Sequence, residues 1–154
     1  MYLKNRAYYR VEFEFVPALI NAYKNKGRKL RFFNDIDVWK KNVYNQGPSI
    51  YDNFDWDDLK ITTYGQEGDN EIVVFYQFPE PFCSPLAAYG AIVIKGDSIN
   101  YYTFELSLEG DYVLGSKNEL GVHMNFGNYP SMSPEEFLGK VCSMKNLTLP
   151  LIKS

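Results

Sequence analysis

From Leu59 onward the chain breaks into short runs dominated by β-branched and aromatic residues: LKITTY, EIVVFYQF, GAIVIK, INYYTFELS, DYVLGS and GVHMNFG. Runs of this length and make-up predict strands. The separators GQEGDN, GDS, EGD and SKNEL supply glycine and turn-forming polar residues, and turns that short join antiparallel neighbours. The pattern therefore predicts a meander. The Lys95-Gly96-Asp97-Ser98 and Glu109-Gly110-Asp111 segments are read as its hairpin turns.

The period changes at both ends. In SPEEFLGKVCSMK, Ser133 is placed to cap a helix, Pro134 suits the first helical position, and Glu136 stands three residues after the cap. Phe137, Val141 and Met144 then share one face, which predicts a closing helix packed on the sheet. Near the start, Tyr9, Val11, Phe13 and Phe15 alternate with Arg10, Glu12 and Glu14, as a half-buried strand would. A helix from about Pro17 to Lys26, ended by Gly27, would follow. Tyr8, Val11, Phe15 and Leu19 also keep helical spacing, so one helix from about Asn5, kinked at Pro17, competes with that assignment. A further helix is predicted in NDIDVWKKNVYNQG, capped by Asn34 or Asp35, with Ile36, Trp39 and Val43 on one face and Gly47 at its end. The intervening RKLRFF carries no decisive pattern.

A helical or mixed first third, an antiparallel meander and a closing helix make the fold class α+β, with helices packed on one face of the sheet. No repeat, low-complexity tract or linker interrupts the 154 residues, a length that suits one globular domain spanning 1–154. FPEPFCSP interrupts the meander with Pro79, Pro81 and Pro85. Three fixed φ angles predict a stiff, extended connector that positions Tyr89 and the YGAI strand, in preference to a proline-rich recognition loop.

Composition sharpens the picture in three places. Thirteen Tyr, eleven Phe and two Trp bring the aromatic share to 17%, enough rings to dominate the packing. The net charge of −3 conceals an asymmetry: residues 1–45 hold ten Lys/Arg against four Asp/Glu, and the acidic excess lies in the rest. The basic residues Lys24, Lys26, Arg28, Lys29 and Arg31 flank a predicted helix end, where cations are favoured, and no zinc-finger spacing, RNP-like motif or arginine-rich run points to nucleic acid. Cys83 and Cys142 stand too far apart for a CxxC pair and are too few for a metal site, so two ordinary thiols are expected. No apolar run is long enough to cross a bilayer, and MYLKNRAYYRVEFEF lacks the apolar stretch of a secretory signal. The expectation is a soluble, cytoplasmic protein without a membrane partner.

Candidate chemistry is sparse. His123 is the only histidine, so any Ser/His/Asp or Cys/His site must use it, with Cys83, Cys142 or a serine as nucleophile and a carboxylate such as Glu105 as orienter. No GxSxG elbow or other nucleophile motif surrounds those residues. The plain alternative makes His123 a strand residue bonded to its surroundings. The cluster YDNFDWDD, Asp52 to Asp58, fails the EF-hand spacing and reads as a capped turn anchored by Phe54 and Trp56. Neither GxxxxGK[ST] nor GxGxxG occurs, so no nucleotide cofactor is implied, and none of any other kind.

In INYYTFELS, Asn100, Tyr102, Phe104 and Leu106 share one face, and Tyr101, Thr103, Glu105 and Ser107 the other. The second face is either solvated or the floor of a polar site. With Tyr89, His123 and Asn125 it gives the candidate binding set: Tyr89, Tyr101, Thr103, Glu105, His123 and Asn125.

PLAAYGAIVI, YYTFELS, YVLGS and HMNFG, in this order and followed by an EEF helix, resemble the C-terminal part of a group of small bacterial proteins with a YGAI / YYTxExS / HxNxG pattern. The resemblance spans roughly residues 78–141 and leaves the first half unmatched. It implies a shared sheet-plus-helix module and a role in bacterial protein interaction or toxin neutralisation, and it brings no activity with it. The expected function is therefore a non-enzymatic interaction protein of adaptor or immunity type, whose partner is another protein. The alternatives are a hydrolase-like enzyme using His123 and a small-molecule or glycan binder with a tyrosine-lined cleft.

Overall fold

Glycine closes the first helix. Helix α1, Val16–Asn25, buries Val16, Leu19, Ile20 and Tyr23, the i, i+3, i+4, i+7 stripe of an amphipathic helix. Gly27 then adopts a φ of +88°, and the Arg28 amide donates to the Tyr23 carbonyl at 2.8 Å. This six-to-one bond around a left-handed residue is a Schellman closure. The contact that usually seals such a closure is apolar; here the Arg28 guanidinium lies 5.9 Å from the centre of the Tyr23 ring.

A computed structural model describes residues 16–44, 59–77, 89–106, 112–118, 122–129, 132–145 and 147. These belong to two compact units, one within residues 1–61 and 77–88 and the other within 62–76 and 89–154. The strand predicted over Tyr9–Phe15, and with it the choice between that strand and a kinked helix, lies outside the described residues. So do Gly47, the acidic cluster Asp52 to Asp58, the proline segment with Cys83, and the Glu109-Gly110-Asp111 turn.

In the first unit α1 is followed by a single-turn helix α2, Arg31–Asn34, within the segment whose pattern was indecisive, and by α3, Ile36–Tyr44. The Asp35 carboxylate accepts the Asp37 amide at 2.9 Å, so Asp35 rather than Asn34 is the cap. Trp39 is fully buried and its indole N–H donates to the Phe33 carbonyl at 2.8 Å, tying α3 to α2. The Tyr23 and Phe33 rings meet at 4.9 Å and tie α1 to the same turn.

Six strands make the sheet: β1 (Lys60–Tyr64), β2 (Glu71–Gln77), β3 (Tyr89–Lys95), β4 (Ser98–Leu106), β5 (Tyr112–Asn118) and β6 (His123–Tyr129). Their spatial order equals their sequence order, and the β3–β4, β4–β5 and β5–β6 pairs are antiparallel. Each predicted run is a strand. The β3–β4 hairpin turns through Gly96 and Asp97, with Gly96 at φ +62° in the first central position, where a type II′ turn requires it. The fold is α+β.

Helix α4, Pro134–Lys145, begins where the sequence places it: the Ser133 hydroxyl accepts the Glu136 amide at 3.2 Å. At its other end the Lys95 ammonium donates to the Lys145 carbonyl at 2.9 Å, a cation on the negative end of the helix dipole. The fully buried Phe137 ring lies 6.0 Å from Phe75, 6.0 Å from Tyr89 and 6.1 Å from Phe104, so this one side chain reaches β2, β3 and β4 together. No described helix is long and apolar enough to cross a membrane.

Candidate functional site

Strand register decides which residues meet. Residues opposed across an antiparallel ladder share a face. Tyr89 pairs with Phe104, and both rings touch Phe137 of α4, so Tyr89 belongs to the helix-covered face. Tyr101 pairs with Ile92 and Lys117, and Lys117 with His123. Thr103 pairs with Gly90 and Gly115, and Gly115 with Asn125. Glu105 pairs with Val113. The register thus gathers Tyr101, Thr103, Glu105, His123 and Asn125 into rows on the face opposite α4, and sends Tyr89 to the other side of the sheet. Adjacency in the YGAI motif conceals this split, because Gly90, and not Tyr89, is the residue facing Thr103.

Burial then changes the meaning of those rows. Tyr101 is 2% exposed and Thr103 4%, so this part of the second face is neither solvated nor the floor of an open polar site. Tyr89 is also buried, stacked on Phe104 at 6.1 Å, and Tyr102 is buried beside them. Burial raises the pKa of the Tyr102 phenol, which keeps it neutral through the physiological range. Tyr89, Tyr101 and Tyr102 are spent on packing. Asn125 alone among the described side chains of the set is exposed, and its carboxamide oxygen accepts the Gly127 amide at 2.8 Å.

His123 and Glu105 lie two strands apart and four residues out of step in the ladder. At ~4.8 Å between strands and ~3.4 Å per residue their Cα atoms are about 17 Å apart, beyond the reach of a base and its orienting carboxylate. Cys142, the other half of a possible Cys/His pair, is fully buried on α4, and burial together with the Glu71 carboxylate pushes its thiol up to about 11. A thiol held that far above neutral is a packing group and not a nucleophile. Among the described residues no cluster of three or more His, Cys, Asp or Glu could hold a metal ion.

The exposed feature lies one strand further out. Val122 and Met124 are 53% and 54% exposed, the large apolar side chains on the surface of the described residues. Met124 lies in β6 and Val122 immediately precedes it, and among the described strands β6 stands at an edge of the sheet. Sequence reasoning assigned HMNFG to a strand but weighed only His123 and Asn125. The available signal was the run from Gly121 to Ser133, which holds no Asp, Glu, Lys or Arg. The opposite edge strand, β1, opens on an exposed Lys60.

Antiparallel geometry fixes which backbone groups face outward. The Asn118 amide donates to the Val122 carbonyl at 3.2 Å and the Val122 amide donates to the Asn118 carboxamide oxygen at 3.0 Å, so both backbone groups of Val122 face β5. Alternation makes Ser116 and Met124 a hydrogen-bonded pair and turns the backbone N–H and C=O of His123 and Asn125 away from β5. Beyond Asn125 a bulge interrupts the ladder between Val113 and Gly115, with Gly127 at φ +116°.

No family model, curated protein or solved structure matches this chain.

Proposed function

We propose that this chain is a protein-interaction protein that takes an extended segment of its partner along the outer edge of β6. The observation that carries this reading is the pairing of exposed Val122 and Met124 with outward backbone groups at His123 and Asn125, on a strand without a charged gatekeeper. Main-chain bonds would supply affinity and the apolar side chains specificity. An adaptor would use the edge to hold its partner, and an immunity-type protein would use it to occupy one. The burial of Tyr89, Tyr101 and Thr103 speaks for packing, not catalysis, at the residues with the richest chemistry.

Selection of random peptides against the full chain tests the reading. Segments alternating apolar and polar residues should be recovered, and their binding should fall about tenfold or more in Met124→Lys, which sets a charge on the edge. Peptides that bind wild type and Met124→Lys equally would contradict it.

A further inference from the structure

We infer that the turn between α1 and α2 is a docking surface for a short acidic segment of a partner protein. It lies in the first unit and does not rest on the reading of β6. From Val16 to Asn34 the chain holds Lys24, Lys26, Arg28, Lys29 and Arg31 and no Asp or Glu. The negative end of the α1 dipole accounts for Lys24, the basic residue of its last turn. That influence fades within the turn, so the four cations that follow within six residues need another reason to stand together.

The backbone gathers these charges. Gly27 at φ +88° and Arg28 at φ +56° are left-handed in succession, and the Arg28 amide closes back on the Tyr23 carbonyl at 2.8 Å. The chain therefore reverses inside the basic run and keeps its cations close, instead of spreading them along a helix. Two costs follow: a left-handed conformation is uncommon for a residue with a Cβ, and like charges so placed repel one another. Neither serves the end of α1, whose closure requires only Gly27 to be left-handed.

Two of the cations are held in place. The Arg28 guanidinium lies over the Tyr23 ring at 5.9 Å and the Arg31 guanidinium over the Phe32 ring at 5.3 Å. A guanidinium resting on a ring keeps its in-plane N–H donors for a carboxylate, which it grips through two parallel bonds. Lys26 and Arg31 are exposed and Arg28 is half-buried. Among the described residues no carboxylate is bonded to any of these three. Charge also selects the length of the partner. The chain carries a net −3, so a long polyanion such as a nucleic-acid strand gains at the turn and is repelled by the rest of the molecule, whereas a few carboxylates confined to the turn meet cations alone.

Fluorescence anisotropy of a labelled hexaglutamate peptide titrated with the full chain tests the inference. The peptide should bind at low ionic strength and weaken as salt is added. Arg28→Gly removes a charge and suits the left-handed backbone, and Arg31→Gln removes a second; together they should weaken binding about tenfold or more with an unchanged circular-dichroism spectrum. Lys140→Gln, which removes an exposed cation of α4, should bind as wild type does. A labelled long oligothymidine should bind more weakly than the peptide. No binding of hexaglutamate at low salt, or a double variant that weakens it no more than Lys140→Gln, overturns the inference. So does tighter binding of the oligothymidine, which would assign the turn to nucleic acid.

Discussion

At the scale of single residues the fold turns on places where one atom more or less decides the packing. Gly90 is the clearest: a Cβ built there would run into the Tyr76 ring, which is itself fully buried. The glycine of the YGAI motif therefore serves close packing over a central strand. Gly90→Ala should destabilise the protein by about 1–3 kcal/mol in urea titration, and Tyr76→Leu, which removes the ring atoms in the way, should make the double variant less costly than the sum of the singles. Strict additivity would show that the two residues do not meet. Cys142 gives a second prediction. Its thiol is raised from an ordinary value of 9.0 to about 11, so the folded state holds the proton more tightly than the unfolded one. That contribution is complete below about pH 9 and is lost as pH rises through about 11; the raised Tyr102 phenol acts in the same sense. Stability followed against pH should fall over that window, and less steeply in Cys142→Ala measured against its own neutral-pH value. An equal slope in the two proteins would remove Cys142 from the account.

At the scale of elements, much was legible where a local rule and the tertiary fold agree. The Ser133 cap and the Gly27 stop satisfy backbone groups within a few residues, and the six strand runs are marked by β-branched and aromatic residues between short turns, so these signals survive in the sequence alone. Ser133→Ala should therefore cost about 0.5–2 kcal/mol, read as a lowered denaturation midpoint with an unchanged slope, whereas a neutral substitution would mean that packing of Phe137 alone sets the helix start. The RKLRFF segment was illegible because its helix is one turn long and its Phe33 carbonyl accepts from Trp39, six residues further along the chain. Cross-strand facing was legible within β4 and lost between strands. Alternation placed Tyr101, Thr103 and Glu105 together, but only the register of β3 could send Tyr89 to the other face. The polarity of Thr103 suggested a site, yet Gly90 and Gly115 on either side leave its small side chain in a buried row.

At the scale of the whole molecule, the register separates His123 from Glu105, and the surface that stands out among the described residues is defined by position. The meander ends on β6, and its last strand must either be protected or be used. β1 meets that condition with Lys60; β6 carries no charge, exposes Met124 and follows directly on the exposed Val122. Sequence reasoning passed over those two because an exposed apolar residue is informative only once the strand order makes its strand an edge. Amide exchange at single-residue resolution, followed in the full chain with and without a peptide selected against it, tests this most directly. The Met124 amide, bonded inward to β5, should exchange slowly in both. The His123 and Asn125 amides should exchange fast in the free protein and become protected when the peptide is bound. Fast exchange of both with the peptide bound, or protection of both in its absence, would contradict an edge that takes a partner segment.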